Sequence, residues 1–192
     1  MERLAPRPAF GCGLLGLVLA LGACNTTSEA AAPHRLAQAT TSSLFAYPWR
    51  WTDESGRATA FSNFRGVPLI VTEIYTSCTS TCPRTVAQLR KLSDRLEREG
   101  KTAQFLLVTL DPSSDTPERL RRYKAEEALP ASWHLLSGSK QATQELSDVL
   151  EIHVIDASSH LVHDAKIVLF DADGKRLGVL NASPSDNETL PL

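Results

Sequence analysis

The sequence predicts an α/β fold, and three observations carry that expectation. Apolar, β-branched runs alternate with stretches whose apolar residues recur every three or four positions. Those helical stretches open on capping residues, and one of them closes on glycine. The chain then finishes on a strand–turn–strand pattern. At 192 residues, 42% hydrophobic and 22% charged, it has the length and composition of one folded domain. A formal charge of −2 gives no electrostatic basis for nucleic-acid binding.

The elements follow in order. Trp49 to Thr52 and Thr59 to Phe61 flank a turn-rich Asp53-Glu54-Ser55-Gly56 and read as a hairpin. Val67 to Tyr75 reads as a largely buried strand, with Glu73 inside it and no partner evident for that acid. From Pro83, the residues Val86, Leu89, Leu92 and Leu96 set a helical period that Gly100 ends. Gln104 to Leu110 is a second strand, expected to run parallel to the first because a helix joins them. Asp115-Thr116-Pro117-Glu118 starts a helix through about Glu127. Trp133 to Leu136 is a short strand, Ser139 caps a helix through Leu150, and Glu151 to Ile155 extends again. Ile167 to Phe170 and Lys175 to Leu180 form the final hairpin around Asp171-Ala172-Asp173-Gly174.

Upstream of this domain lies a different kind of segment. Arg3 and Arg7 precede an uncharged, Leu-rich run from Phe10 to Ala23, too short to span a bilayer and suited to a signal peptide. Its end, Leu21-Gly22-Ala23-Cys24, resembles the lipobox of bacterial lipoproteins, which implies lipidation at Cys24. The expected organisation is a signal peptide over residues 1–23, a polar flexible tether over 24–43 and a folded domain over 44–192. The mature protein would then sit at the periplasmic face of a membrane. Cys12 falls inside the discarded run.

Cys78 and Cys82 form C-x-x-x-C at the exit of the first long strand, directly before Pro83. Proline suits the first helical position, so Cys82 is expected at the helix N-cap and Cys78 in the loop above the sheet edge. Free backbone N–H groups and the helix dipole lower thiol pKa values there. Such a pair can form a reversible disulfide or grip a soft metal ion. A closed zinc site would need four ligands, and the domain offers two cysteines plus histidines.

Ile74 to Pro83, Thr109 to Glu118, and His163 ahead of Asp171-Ala172-Asp173-Gly174-Lys175 together resemble the Sco/SenC family. The resemblance runs from about Phe61 to Leu180. It implies a thioredoxin-like fold, membrane tethering, copper as the bound ion, and a part in cytochrome c oxidase assembly. It also implies that Cys78, Cys82 and His163 ligate copper. This sequence carries Thr79 where many members have proline, and Val162 where an acid commonly precedes the histidine, with Asp164 after it. The family's closing helix is expected to be short or missing, because Asn181 to Leu192 holds two prolines and few apolar residues.

Two functions of different class fit these residues. One is a metallochaperone that passes Cu(I) to a cytochrome c oxidase subunit or another copper protein. The other is a thiol–disulfide oxidoreductase in which Cys78 and Cys82 are the catalytic pair. His163 favours copper, since dithiol exchange does not require it. Of the other candidates, His160 is a substitute ligand, and His134 and His153 are ordinary strand residues. Asp111 and Asp115 read as turn and cap, and Arg119, Arg121, Arg122 and Lys124 as a solvated helix face.

Overall fold

The computed structural model describes residues 43–157, 160–181 and 192, with 155–157, 160–163 and 181 described by their backbone alone. The expected signal segment, Cys24 and all but the last residue of the expected tether lie outside the described residues. So does 182–191, where the closing helix is expected to be short or missing.

Among the described residues, nine strands and three α-helices follow in chain order: β1 Trp51–Asp53, β2 Ala58–Thr59, β3 Leu69–Ile74, α1 Thr81–Arg98, β4 Gln104–Thr109, α2 Pro117–Glu126, β5 Trp133–Gly138, α3 Lys140–Leu150, β6 Val154–Ala157, β7 His160–His163, β8 Lys166–Phe170 and β9 Arg176–Asn181. Among the described residues, seven strands form one sheet of order β2-β1-β5-β4-β3-β8-β9, and β6 pairs with β7 alone. The α/β expectation holds, and β3, β4 and β5 run parallel as their helical connections require.

The parallel strands are buried on both faces, so alternate residues feed two cores. On one face Ile70, Ile74, Phe105, Leu107 and Leu135 meet Val86, Leu89 and Leu92 of α1 and Leu120 of α2. On the other, Leu69, Val71, Leu106, Val108 and Leu136 meet Leu146 and Leu150 of α3 and the aromatics Trp49, Trp51 and Phe61.

Caps and turns follow the sequence. The Thr116 side chain accepts from Arg119 N, the Ser139 side chain accepts from Ala142 N, and Pro117 opens α2. Gly100, at φ +66, lets the chain leave α1 in the left-handed region.

Three boundaries differ from expectation. The first hairpin is shifted and shorter, and Phe61 opens a 3-10 turn, Phe61–Phe64, instead of ending a strand. Helix α1 begins at Thr81, two residues before Pro83. The extension expected over Glu151 to Ile155 lies instead at Val154–Ala157, which pairs antiparallel with His160–His163.

Candidate metal centre at the cysteine loop

The early start of α1 shapes the site. Proline is tolerated in a first turn because N–H groups there have no acceptor within the helix. The helix therefore runs back through Cys82, with Ser80 as N-cap and Cys82 the second helical residue. The expected N-cap position of Cys82 is corrected accordingly. The Cys82 amide donates to Cys78 Sγ at 3.3 Å. Cys78 N in turn donates to Tyr75 O at 3.1 Å, closing a turn at the exit of β3.

Both cysteines are free thiols and buried, at 8% exposure for Cys78 and 0% for Cys82. Their environments push them apart. Burial raises the Cys78 thiol, but the Cys82 amide, the Cys82 thiol and the amides of Ser80 and Thr81 outweigh it and bring Cys78 down to about 7. Burial pushes Cys82 up, and its contact with Cys78 adds to the rise against a backbone hydrogen bond from Tyr75. The Tyr75 phenol is pushed up to about 12, by burial first and then by its hydrogen bond to Cys78 and the nearby cysteine charges. The pair is thus one reactive sulfur and one held protonated, and neither is exposed enough to be a general surface thiol.

A carboxylate anchors this loop. Asp115, 1% exposed, accepts from Thr76 N at 3.0 Å and Thr76 Oγ1 at 2.5 Å, and from Thr109 Oγ1 at 2.5 Å. Arg119 Nε lies 3.7 Å from Asp115 Oδ1. Asp111 has the turn role expected of it, its Oδ1 accepting from Ser113 Oγ and Ser114 N.

His163 ends β7, opposite Val154 in the β6–β7 ladder. Its ring lies outside the described residues. Strand β8 starts three residues later and runs antiparallel to β3, with Ile167 beside Thr72. The segment that brings His163 to β8 therefore arrives at the sheet edge from which the cysteine loop leaves. Among the described residues, no three His, Cys, Asp or Glu side chains converge to hold a metal.

Of the other histidines, His134 and His153 have described side chains. His134 is in β5, half-buried, with its ring 4.9 Å from that of Phe64, and burial lowers its pKa. His153 precedes β6 instead of lying in a strand, and its Nδ1 is 2.9 Å from Asp164 Oδ2. His160 pairs with Ala157, and its ring is outside the described residues. Lys124 is not a solvated residue: its Nζ bonds Glu54 Oε1 at 2.5 Å, Trp133 O at 2.5 Å and Ala131 O at 3.2 Å. Tyr75 and the tie from Thr76 and Thr109 to Asp115 are site features that sequence reasoning missed. The Ile74 to Pro83 and Thr109 to Glu118 segments contain them, but spacing alone gives no reason for the two to touch.

The SCO1/SenC family pattern matches residues 37–190. The chain is 23% identical over 135 residues to the SCO1 protein homolog of Bacillus subtilis, covering 68% of this chain and 70% of that one. Among solved structures, Bradyrhizobium japonicum ScoI with copper bound is similar at a TM-score of 0.63 and 21% identity, covering 72% of this chain and 90% of that one. BsSco, solved in identifying a disulfide switch and described as a member of the Sco family of cytochrome c oxidase assembly proteins, is similar at a TM-score of 0.63 and 21% identity, covering 74% and 86%. The thioredoxin-like fold implied by the resemblance is the fold adopted. With a family match over most of its length and the three resembling segments arranged around one sheet edge, the chain belongs to the SCO1/SenC family.

Proposed function

We propose that this protein is a copper-binding metallochaperone, holding one Cu(I) between the Cys78 and Cys82 sulfurs with His163 as third donor. The observation that carries the reading is the sulfur pair itself, set where β3 exits, with Cys82 N 3.3 Å from Cys78 Sγ. Two soft thiolates and an imidazole suit Cu(I), which accepts three-coordination. Copper is cargo here, and it must displace protons. Cys78, at about 7, is half-ionised at neutral pH and gives up little, whereas Cys82 loses its proton to the incoming metal. The copper-bound ScoI supports copper as the ion, and the description of BsSco as one of the cytochrome c oxidase assembly proteins supports delivery to cytochrome c oxidase as the purpose. Lipid at Cys24 after removal of residues 1–23 would hold the domain at the periplasmic face of a membrane. Mass spectrometry of the mature N-terminus tests that part separately: unmodified Cys24 or an uncleaved Met1 would refute it.

Anaerobic Cu(I) loading of the reduced protein tests the site. One Cu(I) per chain is expected, with tight binding abolished in Cys78→Ser and in Cys82→Ser. His163→Ala should lose about ten- to a hundredfold in affinity, since the thiolates dominate. Unchanged stoichiometry in Cys82→Ser would overturn the site.

The depressed Cys78 thiol also favours a second reading, thiol–disulfide exchange with Cys78 as the attacking thiolate and Cys82 as the resolving one. Under it, iodoacetamide at neutral pH modifies Cys78 ahead of Cys82, and His163→Ala leaves the exchange rate nearly unchanged while copper affinity falls.

A further inference from the structure

Asp115 is buried at the cysteine edge, yet neither the copper reading nor helix capping uses it. Thr116, not Asp115, caps α2. We propose that Asp115 is a positioning residue, tying the start of the cysteine loop to the end of β4 and so fixing where Cys78 sits relative to Cys82. Cys82 is held by α1, which packs along one face of the sheet. Cys78 lies outside the helix, between Thr76 and the N-cap Ser80, so its position depends on how the loop is pinned. Asp115 Oδ1 takes the Thr76 hydroxyl, while Oδ2 takes both the Thr76 amide and the Thr109 hydroxyl. Thr109 Oγ1 also accepts from Asp111 N at 3.0 Å, so the loop leaving β4 closes on the same knot. Hydrogen bonds that hold a metal-site loop commonly set its affinity.

The proposal rests on the copper reading for one of its two readouts and stands apart from it for the other. The full chain is compared as wild type, Asp115→Ala, Asp115→Asn and Thr76→Val. Cu(I) affinity is measured by competition with a chromophoric chelator. The stability of the Cys78–Cys82 disulfide is measured against glutathione, one oxidised glutathione giving two reduced ones as the protein dithiol closes. Asp115→Ala should lose about ten- to a hundredfold in Cu(I) affinity. Its disulfide should weaken by about tenfold, which is about 30 mV for a two-electron couple. Asp115→Asn can keep its oxygen towards the Thr76 amide and the Thr109 hydroxyl while its NH2 donates to a turned Thr76 hydroxyl, so it should stay within about threefold of wild type on both readouts. Thr76→Val should lose at least about threefold in Cu(I) affinity.

A lowered melting temperature with both readouts unmoved would assign Asp115 a structural role and overturn the proposal. Equal damage from Asn and Ala would overturn it too, making the charge and not the tie the active element. If Asp115→Ala does not fold, an unchanged Thr76→Val has the same force. Failure of the wild type to bind copper sinks the copper reading alone, and the glutathione equilibrium then decides this one.

Discussion

Two carboxyl groups, Glu73 in mid-sheet and Asp115 at the cysteine edge, are each 1% exposed and live differently. Asp115 receives three hydrogen bonds from Thr76 and Thr109. Glu73 shares its face of β3 with Leu69 and Val71 and meets α3, where both its oxygens find the single hydroxyl of Ser147, at 3.0 and 2.8 Å. Burial pushes Glu73 up to about 8, against the Ser147 hydrogen bond and with a small addition from the Asp148 charge. It is therefore mostly a neutral acid at neutral pH. The difference is one of donor supply. At a sheet edge, turning backbone and loop hydroxyls converge on an acid. Inside a strand the backbone donors are committed to the ladder, and a facing helix offers only side chains.

The sharpest way to break this comparison is pH. A folded-state pKa near 8 against 4.5 in the unfolded chain means that the Glu73 contribution is complete below 4.5 and lost as pH rises towards 8. Between pH 4 and pH 8 the protein should lose roughly 3–5 kcal/mol from this group, read from urea midpoints. Glu73→Gln should flatten that slope, and an unchanged slope would show that Glu73 is not the group responsible. Ser147→Ala, removing the lone donor, should cost about 1–3 kcal/mol and steepen the same dependence. Thr116→Ala at the cysteine edge should cost about 1 kcal/mol of stability through the lost α2 cap. Because the Asp115 tie does not pass through that cap, Cu(I) affinity should hold. The smallest effect is on copper: Glu73→Gln should leave Cu(I) affinity within twofold, since the acid faces α3 and the cysteines face α1. A larger change would mean that the two faces of the sheet communicate.

Much of the fold was legible because local rules and burial agreed. The periodicity of Val86, Leu89, Leu92 and Leu96, the caps at Thr116 and Ser139, and the stop at Gly100 all lie where those residues act. The cysteine pair was legible for the same reason, as a local spacing beside a proline. The tie at Asp115 was not. Thr76 stands 39 residues from Asp115, and only the parallel β3–β4 register, with Ile74 beside Thr109, brings them together. The β6–β7 hairpin was legible only in part: the extension expected over Glu151 to Ile155 overlaps its first strand, but strands of four residues that pair only with each other among the described residues give no long alternating pattern. Lys124 was misjudged because its partners, Glu54 and Trp133, come from other elements.

The β8–β9 turn has a consequence for reach. Leu44 N donates to Gly174 O at 2.7 Å, and Ser43 Oγ donates to Asp173 O at 2.5 Å. That turn follows Phe170, which pairs with Leu69 at the start of β3, whereas the cysteine loop leaves the far end of the same strand. The chain thus enters the described domain at one pole, and the loop that holds the two buried cysteines lies at the other. The contact at Ser43 and the exit that carries the cysteines are separated by the length of β3, so a partner that reaches the cysteine loop need not meet the Ser43–Asp173 contact.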